Sequence, residues 1–235
     1  MKLRRLLTVL LAGLLAAAVS AADKAPKAPD PALVQITDIP GRLRVLLLGD
    51  SISIGYMLPV RARLAGRANV HRPAENCSES AKGVKSLEKW LGTGKWDVIH
   101  FNFGLHDVKY LDEKGAYVTP DKGRQVASVA EYESNLRTIV ARLKQTGAKL
   151  IFATTTPVPG GSQGRVEHDE LRYNEAAVRV MKEHGVAVDD LHALVAQQQE
   201  KIQLPHNVHF TKDGYEQLAE QVVASLLPAL PPAAK

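Results

Sequence analysis

The chain has 235 residues, 45% of them apolar and 23% charged, which suffices for one domain with a sizeable core. Its net charge of +5 rests on dispersed basic residues, with no Lys/Arg run interleaved with aromatics, so nucleic acid is not an expected partner. The single cysteine, Cys77, excludes an intramolecular disulfide and a cysteine-based metal cluster, and it reads as a buried free thiol.

In chain order, Lys2, Arg4 and Arg5 precede an apolar stretch over 6–19 and the small residues Ser20, Ala21 and Ala22. That pattern predicts a signal peptide over 1–22, cleaved after Ala21 or Ala22, and export to the periplasm or beyond. The apolar run is shorter than the roughly 20 residues a membrane span needs, so no stable insertion is expected after cleavage. An uncleaved anchor is the alternative. Residues 23–40 are rich in Pro and Ala and read as a linker; the folded domain is expected over 41–230, and 231–235 as a disordered tail.

Within the domain, the apolar run 43–48 predicts a buried parallel strand stopped by Gly49-Asp50. Helical spacing follows over 58–65, a short strand over 69–71, and a helix over 84–91. A third strand is expected over 96–103, a loop over 117–124, and a helix over 129–145 ending before Gly147. The run 149–156 reads as a strand broken by Pro157, followed by a Gly-rich loop at 159–164. A helix over 169–184, a strand over 186–188, and helices over 191–199 and 214–227 complete the pattern. Alternating strands and helices predict an α/β fold: a three-layer α/β/α sandwich whose five-stranded parallel sheet has the flavodoxin-like order 2-1-3-4-5.

Three loops then carry chemistry. Gly49-Asp50-Ser51-Ile52-Ser53 follows the first strand, where a serine meets the carboxyl edge of the sheet. Ser51 is there either a nucleophile or part of a helix cap. Phe103-Gly104-Leu105-His106-Asp107 follows the third strand, the neighbour of the first at the switch point, so Ser51 and His106 would share a crevice. His206-Asn207-Val208-His209-Phe210-Thr211 precedes the last helix, and an imidazole there suits a general base at neutral pH.

Together the three segments resemble the blocks of the SGNH (GDSL-like) hydrolases: Gly49-Asp50-Ser51-Ile52-Ser53 the first, Gly104-Leu105-His106-Asp107 the third, and Val208-His209-Phe210-Thr211 with Gly214-Tyr215 the last. The resemblance implies a serine esterase with Ser51 as nucleophile and His209 as base. It also implies an oxyanion hole of the Ser51 amide, a second-block donor and the third-block side chain. Asn76 is the nearest match for the second block, with an Asx turn as its other reading. His106 stands where the family has Asn; it is a donor, a substrate contact or a packing residue.

His206 occupies the place of the acid that orients the base. That orientation falls to His206, a backbone carbonyl, a carboxylate from elsewhere, or to nothing, leaving a Ser-His dyad. Asp50, Gly104 and Asp107 are expected to support the site. Thr155, Thr156 and Arg165 are weaker candidates for substrate contact, Arg165 toward a carboxylated or hydroxyl-rich substrate. No metal or other cofactor is implied, since metal-ligand spacings and a phosphate-binding Gly-Lys-Ser/Thr ending are both missing. The expected partner is a small ester or acylated carbohydrate, with a lipid esterase or a non-catalytic carbohydrate-binding homologue as alternatives. No particular oligomeric state follows.

Overall fold

The computed structural model describes residues 29–230; the stretch read as a signal peptide, residues 23–28 of the expected linker and residues 231–235 lie outside the described residues. Strand β1, Leu43–Leu48, buries its last four residues on both faces, as a continuous apolar run requires of a central strand. It pairs in parallel with β2, Ala68–His71, on one side and β3, Val98–Phe101, on the other. A two-stranded antiparallel ribbon, β4 (Tyr110–Leu111) with β5 (Arg124–Gln125), interrupts the alternation before β6, Lys149–Ala153, and β7, Ala187–Asp189. The sheet order is β2-β1-β3-β6-β7, which is the expected 2-1-3-4-5 once the ribbon is set aside.

Helices cover both faces. On one, α1 (Ser51–Arg63) packs on α7 (Lys212–Leu226), with α5 (Leu191–Ala196) and α6 (Gln199–Ile202) beside them. On the other, α2 (Ser80–Leu91), α3 (Val129–Lys144) and α4 (Glu170–His184) pack in succession. Helix α3 starts with a full capping box between Ser128 and Glu131, and α4 ends on a left-handed Gly185.

Several boundaries differ from the sequence reading. Helix α1 begins at Ser51, not near residue 58: Asp50 caps it by accepting the Ile52 N–H at 2.9 Å, and Gly55 and Pro59 had hidden its first turns. The third and fourth sheet strands stop at Phe101 and Ala153. There Asn102 donates its side-chain amide to the Ala153 carbonyl at 2.8 Å, tying the two ends together. Residues 31–39 are mostly exposed, but Ala32 is buried in the core. The Asn69 side chain exchanges hydrogen bonds with the Ile39 backbone, and Asp38 meets His71 at 2.5 Å.

Candidate active site

The site sits where β1 and β3 end side by side. Ser51 is the first residue of α1, so its N–H has no intrahelical acceptor and points where the helix dipole favours negative charge. Beneath it the Asp50 carboxylate is buried: Oδ1 caps the helix by accepting the Ile52 N–H, while Oδ2 has no hydrogen-bond partner among the described residues. Across the crevice, the loop before α7 brings His209 Nε2 to 2.9 Å from Ser51 Oγ, a contact spanning most of the chain.

The partner of the other ring nitrogen is Asn207, a residue the sequence reading passed over. Asn207 Oδ1 lies 2.8 Å from His209 Nδ1 and also accepts the His209 backbone N–H at 3.0 Å. A backbone N–H can only donate, so it fixes which end of the carboxamide faces the histidine. The Nδ1 proton is then donated to Asn207, and Nε2 presents its lone pair to the serine hydroxyl. Burial lowers the His209 pKa below the usual imidazole value, with Asp50 opposing and Arg165 reinforcing the shift. The imidazole is therefore neutral near pH 7, as a base must be.

His206 does not orient His209. In the left-handed region at φ 55°, it turns away and donates Nδ1–H to the Gly160 carbonyl at 2.7 Å, fastening the 157–168 loop to the base loop.

His106 borders the same crevice as Ser51 and His209. Its Nδ1 lies 2.9 Å from Ser78 Oγ and 3.0 Å from Lys109 Nζ. A hydroxyl can serve either way, and Ser78 Oγ also reaches a Glu79 carboxylate oxygen at 2.5 Å. The lysine offers only protons, so we assign the ring proton of His106 to Nε2. Burial brings its pKa down to about 4, with Lys109 and Arg165 adding to the shift and Asp50 opposing it. The ring is thus a neutral donor, able to do what a carboxamide N–H would. Asn76 lines the crevice as well; its Oδ1 accepts the Ser78 N–H at 2.8 Å, an Asx turn that leaves its NH₂ unengaged. The two readings of Asn76 are thus compatible.

The supporting residues are buried. Gly104, at φ 141°, has no room for a side chain, since a Cβ would stand 2.1 Å from Thr155 Oγ1. Asp107 accepts the Ser80 N–H and, at 2.5 Å, the Ser80 hydroxyl, which binds the third-block loop to the start of α2; burial pushes its pKa up to about 7. Thr155 and Thr156 do not border the crevice, which corrects their assignment to substrate: Thr155 donates to the Phe103 carbonyl, and both are buried behind the site. Arg165 does border it, and donates Nε–H to the Leu105 carbonyl at 2.9 Å.

Arg72, also unforeseen, is only 1% exposed and grips main-chain oxygens of Gly49, Pro73 and Glu75, as well as Ser53 Oγ. It joins the nucleophile loop to the second-block loop. Cys77 is fully buried, and burial raises its thiol to about 11, so it is inert.

The crevice has a volume of about 480 Å³. A larger hollow of about 660 Å³, beside Trp90, Trp96 and His71, is lined by neither Ser51 nor His209 and by no serine or cysteine, so the chemistry belongs to the smaller one.

Comparison with known proteins bears on the family and the fold. A family model described as the GDSL-like lipase/acylhydrolase family matches residues 47–217. A search of curated proteins found no match. Among solved structures, the lipase/acylhydrolase from Enterococcus faecalis is similar at a TM-score of 0.66 and 21% identity, with 82% of this chain and 100% of that one covered. An acetylxylan esterase from Geobacillus stearothermophilus gives 0.63 at 18% identity over 82% and 96%. A GDSL-like lipase from Bacteroides thetaiotaomicron gives 0.62 at 13% over 86% and 95%.

Proposed function

Because this chain belongs to the GDSL-like lipase/acylhydrolase family, and is a carboxylic ester hydrolase, we propose that it removes short acyl groups, chiefly O-acetyl groups on carbohydrates. The observation that carries the catalytic reading is the 2.9 Å contact between Ser51 Oγ and a neutral, oriented His209 Nε2.

In the proposed reaction Ser51 Oγ attacks the ester carbonyl carbon while its proton passes to His209 Nε2. The carbonyl oxygen becomes an oxyanion that accepts hydrogen bonds from the Ser51 N–H, the Asn76 side-chain amide and His106 Nε2–H. Collapse breaks the carbon–alkoxide bond, and the departing alcohol takes the proton from His209. Water, deprotonated by the same imidazole, then cleaves the acyl-enzyme to free acid and restores Ser51.

The crevice is lined by Ser51, Asn76, His106, Ser162, Arg165 and His209 among others, with Val208 the only aliphatic side chain among its lining residues, which suits a short acyl group. A lipid esterase would instead require an apolar groove for the chain. Export to the periplasm or beyond is proposed from the basic and apolar residues at the amino end; a mature chain recovered outside the cytoplasm and beginning near Ala22 or Asp23 would support it.

The test is a p-nitrophenyl ester series from acetate to palmitate, with fluorophosphonate labelling. Acetate should be cleaved fastest, and Ser51→Ala should abolish both turnover and labelling. Undiminished turnover by that variant rejects the nucleophile, a preference for palmitate favours the lipid reading, and an unlabelled wild type favours a non-catalytic binding role.

A further inference from the structure

No Asp or Glu lines the crevice that holds Ser51 and His209, whereas a guanidinium and three imidazoles do. Arg165 spends Nε–H on the Leu105 carbonyl and one Nη1–H on the Gln163 carbonyl at 3.2 Å, both uncharged acceptors. It forms no ion pair among the described residues. Nη2 and the second Nη1–H make no other close hydrogen bond in this half-buried position, and the nearby Tyr117 phenol is uncharged and cannot neutralise the guanidinium. No carboxylate touches this guanidinium, and the buried Asp50 acts on it only from beneath the site; a half-buried guanidinium with no contacting anion is costly unless one completes it, and its planar fork matches a carboxylate.

On the same rim stands Tyr117, with 43% of its surface exposed although it is large and aromatic. Its ring is held from below: a Cβ on Gly164 would stand 2.4 Å from it, and the cations of Lys109 and Arg165 lie 5.3 and 6.0 Å from its centroid. A fixed, exposed aromatic face beside an unpaired guanidinium is a platform for the apolar face of a sugar ring that also bears an anion.

Resting on the esterase reading above, we infer that Tyr117 and Arg165 form a subsite for the alcohol half of the substrate, an acylated sugar carrying a carboxylate. The pyranose lies on Tyr117 and the carboxylate meets the free edge of Arg165. A single unpaired guanidinium balances one negative charge, which favours a carboxylate over a phosphate dianion. Lys109, buried near the Tyr117 ring, does not line the crevice and already reaches His106 Nδ1.

The experiment measures acetate release from mono-O-acetyl methyl glucuronoside, its neutral counterpart mono-O-acetyl methyl glucoside, and an acetylated sugar phosphate, with p-nitrophenyl acetate in parallel. The wild type should show kcat/KM about tenfold higher on the uronate than on the glucoside, mainly through KM, and the ratio should fall with added salt. Arg165→Gln should bring the ratio to about one, and Arg165→Lys should hold it between these limits. Tyr117→Ala should slow both sugars together and leave the ratio in place.

A wild-type ratio of one with p-nitrophenyl acetate cleaved normally overturns the subsite and spares the esterase. A preference for the phosphate overturns the carboxylate assignment. No cleavage of any ester overturns the esterase reading itself. Should Arg165→Gln fail to fold, the wild-type ratio and its salt dependence decide the matter.

Discussion

Asn207 stands in for the carboxylate that commonly orients a catalytic histidine, and a neutral acceptor has a measurable consequence. It fixes the tautomer without the charge that would stabilise an imidazolium. Burial meanwhile favours the neutral ring, so the folded pKa of His209 lies below 6.5. Activity is present above that pKa and is lost as pH falls through it, so the acid limb of kcat/KM should have its midpoint below 6.5. Asn207→Asp supplies the missing charge and should move that limb to higher pH. Asn207→Ala should lower kcat by roughly tenfold to a hundredfold, the worth of an orienting hydrogen bond, and pH–rate profiles of the three proteins check all of this. The sequence disclosed Ser51 and His209 through their flanking motifs. Asn207 was concealed because its role is an Asx turn to a residue two places on, while the motif directs the eye three places back, to His206. Arg72 acts across loops, and a one-dimensional reading has no signal for that.

Between elements, the distance from Ser51 to His209 is set by the packing of α1 on α7, which start at or just after the two residues. At Gly55 the helices meet tightly: a Cβ there would stand 2.1 Å from the Tyr215 ring, itself packed edge-on against Phe210. Gly55→Ala should therefore cost about 1–3 kcal/mol in a denaturant titration, as overpacking does. Adding Tyr215→Ala should make the two substitutions clearly non-additive, whereas independent losses would show that the helices do not meet there. At this scale the sheet was legible, because runs such as Val45 to Leu48 are apolar without interruption. Strand ends were less so: Asn102, Phe103 and Thr154 to Thr156 look like strand continuations but leave the sheet to hold loops. The two-residue strands β4 and β5 were invisible, since two residues carry no periodicity.

For the molecule as a whole, the segment from Asp30 to Ile39 acts as a strap along β2, the edge strand of the sheet. Unprotected edges invite pairing with other chains. A chain beginning at residue 41 should therefore melt several degrees lower than one beginning at residue 29 and should self-associate, with calorimetry and light scattering as the measurements. Equal melting temperatures and a monodisperse shorter chain would show that the strap is dispensable. The fasteners around the crevice share another trait: Arg72, Arg165, His206, Gln203, Tyr132 and Tyr173 all clasp main-chain oxygens. A clasp on a peptide carbonyl is indifferent to which amino acid supplies it. The rims can therefore drift through evolution, or be randomised in the laboratory, while the scaffold stays put, and new specificities become reachable without rebuilding the catalytic machinery.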